Sequence, residues 1–188
     1  MFLQYKKINF LKWFFKKNIY QKVLPIAFLL ATFNAQAMTN HVTKIEVLGK
    51  KPEQIYDFMF SLDKAKYISW HPTEHKDFKV IKETKEILGS VFFYYEKMDN
   101  ITVKYKWEVM ELVENHKIVM KARYFIPLYL TLILDETPNG TLVTHELSIG
   151  KGRFLDFFIR NFIFTKSKQK SLTRHANEEF KNLEQLIK

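Results

Sequence analysis

From Asp77 to Gly150 the chain alternates apolar and polar residues in short runs, and this periodicity limits the fold more than any other feature. In Ile101–Val109 the apolar set is Ile101, Val103, Tyr105, Trp107 and Val109, with Lys104, Lys106 and Glu108 between them. In Ile118–Ile126 it is Ile118, Met120, Ala122, Tyr124 and Ile126. A period of two belongs to strands. Gly89, Asp99-Asn100, Glu114-Asn115, Pro127 and Asn139-Gly140 break the runs where turns are needed, so successive antiparallel strands are predicted. Such a sheet is apolar on one side and solvated on the other, and the apolar side needs a cover. The segment from about Leu155 to Ile187 supplies one, with Leu172, Ala176, Phe180, Leu183 and Ile187 on a helical face.

Ahead of these strands, His41–Leu48 alternates as a short edge strand does. Pro52 opens a helix with Ile55, Phe58 and Met59 on one face, and a second short helix is predicted over Asp63–Ser69, ending near Trp70-His71-Pro72. The fold class is therefore α+β: two short helices, a curved antiparallel sheet, and a long C-terminal helix that the sheet wraps around a cavity. This order of elements resembles the START-like helix-grip fold, which implies an enclosed apolar small-molecule pocket.

The chain of 188 residues carries a formal charge of +10 and no Cys. Absence of Cys excludes disulfide scaffolds, thiolate metal sites and Cys nucleophiles. Six of the lysines (Lys6, Lys7, Lys12, Lys16, Lys17 and Lys22) stand in the first 22 residues, where there is no acid. An 11-residue apolar run, Val23–Phe33, follows, and then Asn34-Ala-Gln-Ala37. A basic start, a short apolar core and an Ala-x-Ala site describe a secretory leader over residues 1–37, cleaved before Met38. An uncleaved anchor and a translation start at Met38 are the alternatives. Residues 38–188 then form a single domain, exported to the periplasm, and without the leader the charge falls to +4. No basic stripe at one helical spacing is left, so no nucleic-acid partner is expected.

His175 and Glu179, four apart in the closing helix, lie one above the other and share the inward face with Leu172, Ala176 and Leu183; Glu178 belongs to the solvated side. A buried carboxylate requires a partner. Trp70-His71-Pro-Thr-Glu-His75 places two imidazoles in the turn before the sheet. Glu96 shares a strand face with Phe92, Tyr94 and Met98, in an otherwise apolar row. One imidazole from the turn (His71 or His75), Glu96, His175 and Glu179 make two nitrogen and two oxygen donors, a set suited to Zn2+ without thiolate. His145 falls on the side of its strand with Val143, Leu147 and Ile149, and is expected to face the cavity as a proton donor or a substrate anchor. Tyr67, Tyr94 and Tyr105 are either cavity phenols or ordinary core.

The pattern Tyr67-x-x-Trp70-His71-Pro72-x-x-His75, then Glu96, then Arg174-His175-x-x-Glu178-Glu179 resembles the 2,4-diacetylphloroglucinol hydrolase and phloretin hydrolase family. The resemblance implies zinc held by two His and two Glu, and hydrolysis of the carbon–carbon bond between an acyl group and a phenolic ring. It implies His75 rather than His71 as the turn ligand, because the spacing from Tyr67 to His75 matches the family's tyrosine-to-ligand interval, and it makes Tyr67 catalytic. This chain is shorter than those enzymes and carries a leader.

Two functions from different classes follow. One is a zinc-dependent hydrolase of a small apolar or aromatic acyl compound; the other is a periplasmic carrier of a lipid or other hydrophobic molecule. The segment 153–170, with Phe154, Phe157, Phe158, Phe162 and Phe164 nearly all round a helix and Lys166, Lys168 and Lys170 after it, is expected to touch an anionic membrane or to be core.

Overall fold

The structure is a computed structural model that describes residues 39–99, 101–122, 128–149 and 165–188. The leader at 1–37, Tyr124 and Ile126 of the second alternating run, and the phenylalanine-rich stretch 153–164 lie outside the described residues. The elements are β1 (Thr39–Leu48), α1 (Pro52–Phe60), α2 (Lys64–Trp70), β2 (His75–Lys82), β3 (Val91–Met98), β4 (Ile101–Val113), β5 (Lys117–Ala122), β6 (Leu128–Thr137), β7 (Gly140–Ile149) and α3 (Lys166–Leu186).

The seven strands form one antiparallel sheet in the order β1-β7-β6-β5-β4-β3-β2. Its pleat follows the alternation read from the sequence. Trp107, Val109, Ile118, Met120 and Ala122 are buried on the inner face, while Lys104 and Lys106 are exposed. Between β6 and β7 the turn at Asn139-Gly140 is tight. Gly140 has a positive φ, and a Cβ there would lie 2.1 Å from the Val47 carbonyl oxygen, so only glycine fits.

Each helix starts where its first residues can satisfy free N–H groups. Pro52 stands in the first turn of α1, and the Lys51 N–H donates to Gln54 Oε1 at 2.9 Å. Asp63 caps α2 by accepting from the Lys66 N–H at 2.8 Å, which puts the start of that helix one residue after the predicted Asp63. Thr165 caps α3. The last helix buries Ala176, Phe180 and Leu183 in the hollow of the sheet. It is fastened to α2 by the Trp70 indole, which donates to the Glu179 carbonyl at 2.7 Å, and by the Asn182 amide, which donates to the Trp70 carbonyl at 2.9 Å. These two bonds fix α3 against the turn that carries the histidines. Among the described residues no helix is long and apolar enough to cross a membrane.

Candidate metal centre

Four of the residues singled out in the sequence converge on one wall of the hollow. β2 begins at His75, and the strand register sets His75 directly opposite Glu96 of β3. A bulge between His75 and Asp77 breaks the ladder immediately after, the kind of irregularity that re-aims a side chain at a sheet margin. His175 and Glu179 descend from α3, one helical turn apart. Glu179 Oε2 lies 3.1 Å from His175 Nε2, and Glu96 Oε2 lies 3.9 Å from the same nitrogen. His75, Glu96 and His175 each offer a ligand atom within 4.8 Å of the others.

The histidines are held in defined orientations. The His75 ring is 1% exposed, stacks on Tyr67 at 3.9 Å between centroids and 5° between planes, and donates from Nδ1 to the Tyr67 carbonyl at 2.8 Å. That bond leaves the lone pair on Nε2, a buried atom with no hydrogen-bond partner among the described residues. Burial pushes the imidazole down to about 4, so it is neutral and ready to donate that lone pair. Tyr67 donates its hydroxyl to Glu96 Oε1 at 2.7 Å, which turns Oε2 toward His175. Burial and the neighbouring Glu96 hold the phenol well above its ordinary range, so it stays protonated.

His175 has carboxylates on both sides. Its Nδ1 donates to Glu74 Oε2 at 2.6 Å, and Glu74 in turn accepts from Arg174. Burial disfavours the charged ring, but Glu179, Glu96 and Glu74 outweigh it and raise His175 to about 9. Burial likewise works against ionised Glu179, and the His175 bond and charge overcome it, so its carboxyl lies below the usual range. Glu96 moves the other way: burial raises it, and although His175 and the Tyr67 bond pull it down, Glu179 and Glu74 add to the rise. Without an ion, the site is thus balanced by a proton on His175.

Glu74 was not singled out in the sequence, although it stands beside His75. It is 5% exposed, and burial is countered by Arg174 and His175, which keep its carboxyl below the ordinary value. A carboxylate on the far nitrogen of a ligand histidine fixes its tautomer and raises its basicity, a recurrent outer partner of metal-bound imidazole. The only signal for it was position, one residue from a candidate ligand.

His71 sits apart from the four. Its ring is buried and stacks on His175 at 4.9 Å, but Nε2 lies 3.1 Å from Glu178 and Nδ1 lies 3.2 Å from Thr73 Oγ1. His71, Glu74 and His175 also bring donor atoms within 4.8 Å of one another. There, however, Arg174 bonds Glu74, Asp99 and Glu178 at 2.5, 3.1 and 2.8 Å and already supplies the cation. Glu178, placed on the solvated side by the sequence, is exposed.

Glu96, His175 and Glu179 line a cavity of about 420 Å³, within the size range of small-molecule pockets. Tyr67, Tyr94 and Tyr105 all line it, as does His145. His145 meets the Phe180 ring edge at 6.1 Å, its Nδ1 is buried without a hydrogen-bond partner among the described residues, and burial lowers it to about 4.

No protein-family model matches the sequence, and no curated protein matches it. Solved structures do. Ginseng major latex-like protein 151 from Panax ginseng superposes with a TM-score of 0.61 at 12% identity, over 81% of this chain and 99% of that one. The KanY protein gives 0.60 at 14% identity, over 81% and 99% of the two chains. A START superfamily protein from Mycobacterium smegmatis gives 0.55 at 15% identity, over 80% and 96%. Likeness at such identities is one of fold, and the fold is the START-like helix grip that the order of elements suggested.

Proposed function

We propose that the domain is a metal-dependent hydrolase that takes a small acylated aromatic compound into the cavity and cleaves the bond between the acyl carbon and the ring. The observation that carries this reading is the buried Nε2 of His75: a lone pair with no hydrogen-bond partner among the described residues, on a ring that shares with Glu96 and His175 a group of donor atoms within 4.8 Å of one another. An orphaned acceptor in the core is costly unless something fills the place, and a cation fits this donor set. His75, Glu96, His175 and Glu179 would hold the ion, and two imidazoles with two carboxylates suit zinc. When bound, such an ion polarises a carbonyl and lowers the pKa of a coordinated water.

The chain's own residues supply the rest. Tyr94, Tyr105 and Trp107 give the cavity aromatic walls for a ring. The net reaction adds water across the acyl–aryl bond, releasing a carboxylic acid and leaving a hydrogen on the ring carbon. That carbon needs a proton donor. Tyr67, kept neutral by burial and held by Glu96, serves as one; His145, on the cavity wall, holds the substrate or relays the proton. In the same reading the leader is removed before Met38 and the domain works in the periplasm, which intact-mass measurement of the exported protein tests.

A carrier of hydrophobic ligands is the second reading. One observation favours it: the proton on His175 balances the carboxylates without an ion, so the cluster can stand as structure alone. Metal analysis of the purified protein separates the two. One zinc per chain, removable by chelator together with hydrolysis of acylphenols, supports the hydrolase; metal-free protein with a copurified lipid overturns it.

A further inference from the structure

The candidate ligands come from three segments, the start of β2, the end of β3 and the middle of α3, and one guanidinium bonds beside all three. Arg174 donates from Nη2 to Glu74 Oε1 at 2.5 Å and to Asp99 Oδ1 at 3.1 Å, and from Nη1 to Glu178 Oε2 at 2.8 Å. Each of these contacts stands close to a ligand in the chain. Glu74 precedes His75, Glu178 precedes Glu179, Asp99 lies three residues after Glu96, and Arg174 itself precedes His175.

The three bonds differ in weight. Asp99 and Glu178 are exposed, and ion pairs there contribute little by themselves. Glu74 is buried with both oxygens engaged, Oε1 by Arg174 and Oε2 by His175 Nδ1 at 2.6 Å. Its main chain is fixed as well, since the Lys97 N–H donates to the Glu74 carbonyl at 2.8 Å. What remains free is rotation of the carboxylate, and the charge-assisted bond from Arg174 stops it. Without that bond a buried oxygen is left unpaired, and the carboxylate turns to satisfy it, releasing Nδ1. The ring is then no longer held with Nε2 toward Glu96 and Glu179. A lysine would not serve, because a single ammonium replaces a planar fork that reaches three carboxylates from two nitrogens.

We infer that Arg174 is the positioning residue of the metal centre: through Glu74 it sets the orientation in which His175 presents Nε2 to an ion, while Asp99 and Glu178 anchor it to the segments that carry Glu96 and Glu179. It touches neither the ion nor the substrate. This rests on the reading of His75, Glu96, His175 and Glu179 as a metal site, and does not depend on the reaction catalysed there.

The test is metal binding by the full chain, with zinc affinity from chelator competition and the visible spectrum of the cobalt-loaded protein as the report on ligand geometry. Arg174→Gln should weaken zinc about tenfold, within the range for a lost outer partner, and change the cobalt spectrum. Arg174→Lys should do the same, although it keeps the charge. In a background of Glu74→Gln, which has already lost the ion pair, Arg174→Gln should cost no more than about twofold further. Native zinc affinity and a native cobalt spectrum in the Arg174 variants, whatever their melting temperatures, would overturn the inference. Full additivity with Glu74→Gln would overturn it too, and so would full recovery by lysine, since bare charge would then suffice. If Arg174→Gln does not fold, the lysine variant carries the same decision. A native chain that binds neither zinc nor cobalt overturns the metal site and this inference together; native binding with unaffected variants removes only the inference.

Discussion

The two faces of the His175 ring are built from the same residue types and do different things. On the Nδ1 side stand His71, Glu74 and Glu178; on the Nε2 side stand His75, Glu96 and Glu179. The first cluster is closed. Arg174 bridges three carboxylates, Thr73 and Glu178 occupy both nitrogens of His71, and Ser171 adds a bond to Asp99. The second holds a buried nitrogen with nothing to accept from among the described residues, and a carboxyl that burial drives toward neutrality. Residue inventory does not distinguish a metal site from an ion-pair network. What distinguishes them is whether the protein already supplies the cation.

The sharpest way to break this comparison is to remove the shared ring. His175→Ala should abolish stoichiometric zinc binding and lower stability as well, since Glu74 and Glu179 lose a buried partner. His75→Ala should also abolish zinc, but with a smaller loss of melting temperature, because it leaves no carboxylate without its ion pair. Metal content and thermal denaturation on the same samples check both.

Next in size is Glu74→Gln. It keeps the shape and a hydrogen bond to Nδ1 but removes the charge, and zinc affinity should fall by about 10–100-fold, the usual cost of losing an outer carboxylate. An unchanged affinity would mean that the Nδ1 side does not tune the Nε2 side.

Proton linkage gives a third, graded test. His175 is raised from 6.5 to about 9 in the folded, metal-free protein. Its contribution to stability is therefore complete below about pH 6.5 and is lost as pH rises through 9. Chemical denaturation of the chelated protein should show stability from this group falling across that window. Zinc affinity should rise over the same window, because the ion must displace the His175 proton. Slopes of one sign in both experiments would contradict the arrangement.

The smallest effects belong to the closed cluster's rim. Glu178→Ala, at an exposed position, should change zinc affinity by no more than about twofold, the scale of surface substitutions, and His71→Ala should cost less zinc than His75→Ala. A loss comparable to that for His75→Ala would move the ligand role to His71.

Much of this was legible in the chain because it depends on short-range periodicity. Alternation in β3 put Glu96 inward with Tyr94, and the four-residue step put His175 and Glu179 on one helical face. Glu74 and His75 show where that kind of inference stops. They are adjacent, yet Glu74 bonds the far nitrogen of His175 while His75 points at the near one. Their divergence comes from the turn after α2, in which the Glu74 and His75 N–H groups both donate to the His71 carbonyl, and from the bulge that follows.

By itself, the sequence determined the sheet, the closing helix and the donor types, since these follow from patterns a few residues long. Tertiary structure alone decided which histidine nitrogens lack a partner among the described residues, and which carboxylates are already neutralised by Arg174. Those properties belong to contacts between segments about a hundred residues apart, such as His175 with Glu74 and Trp70 with Glu179. No local periodicity encodes them, because each depends on how α3 seats in the sheet.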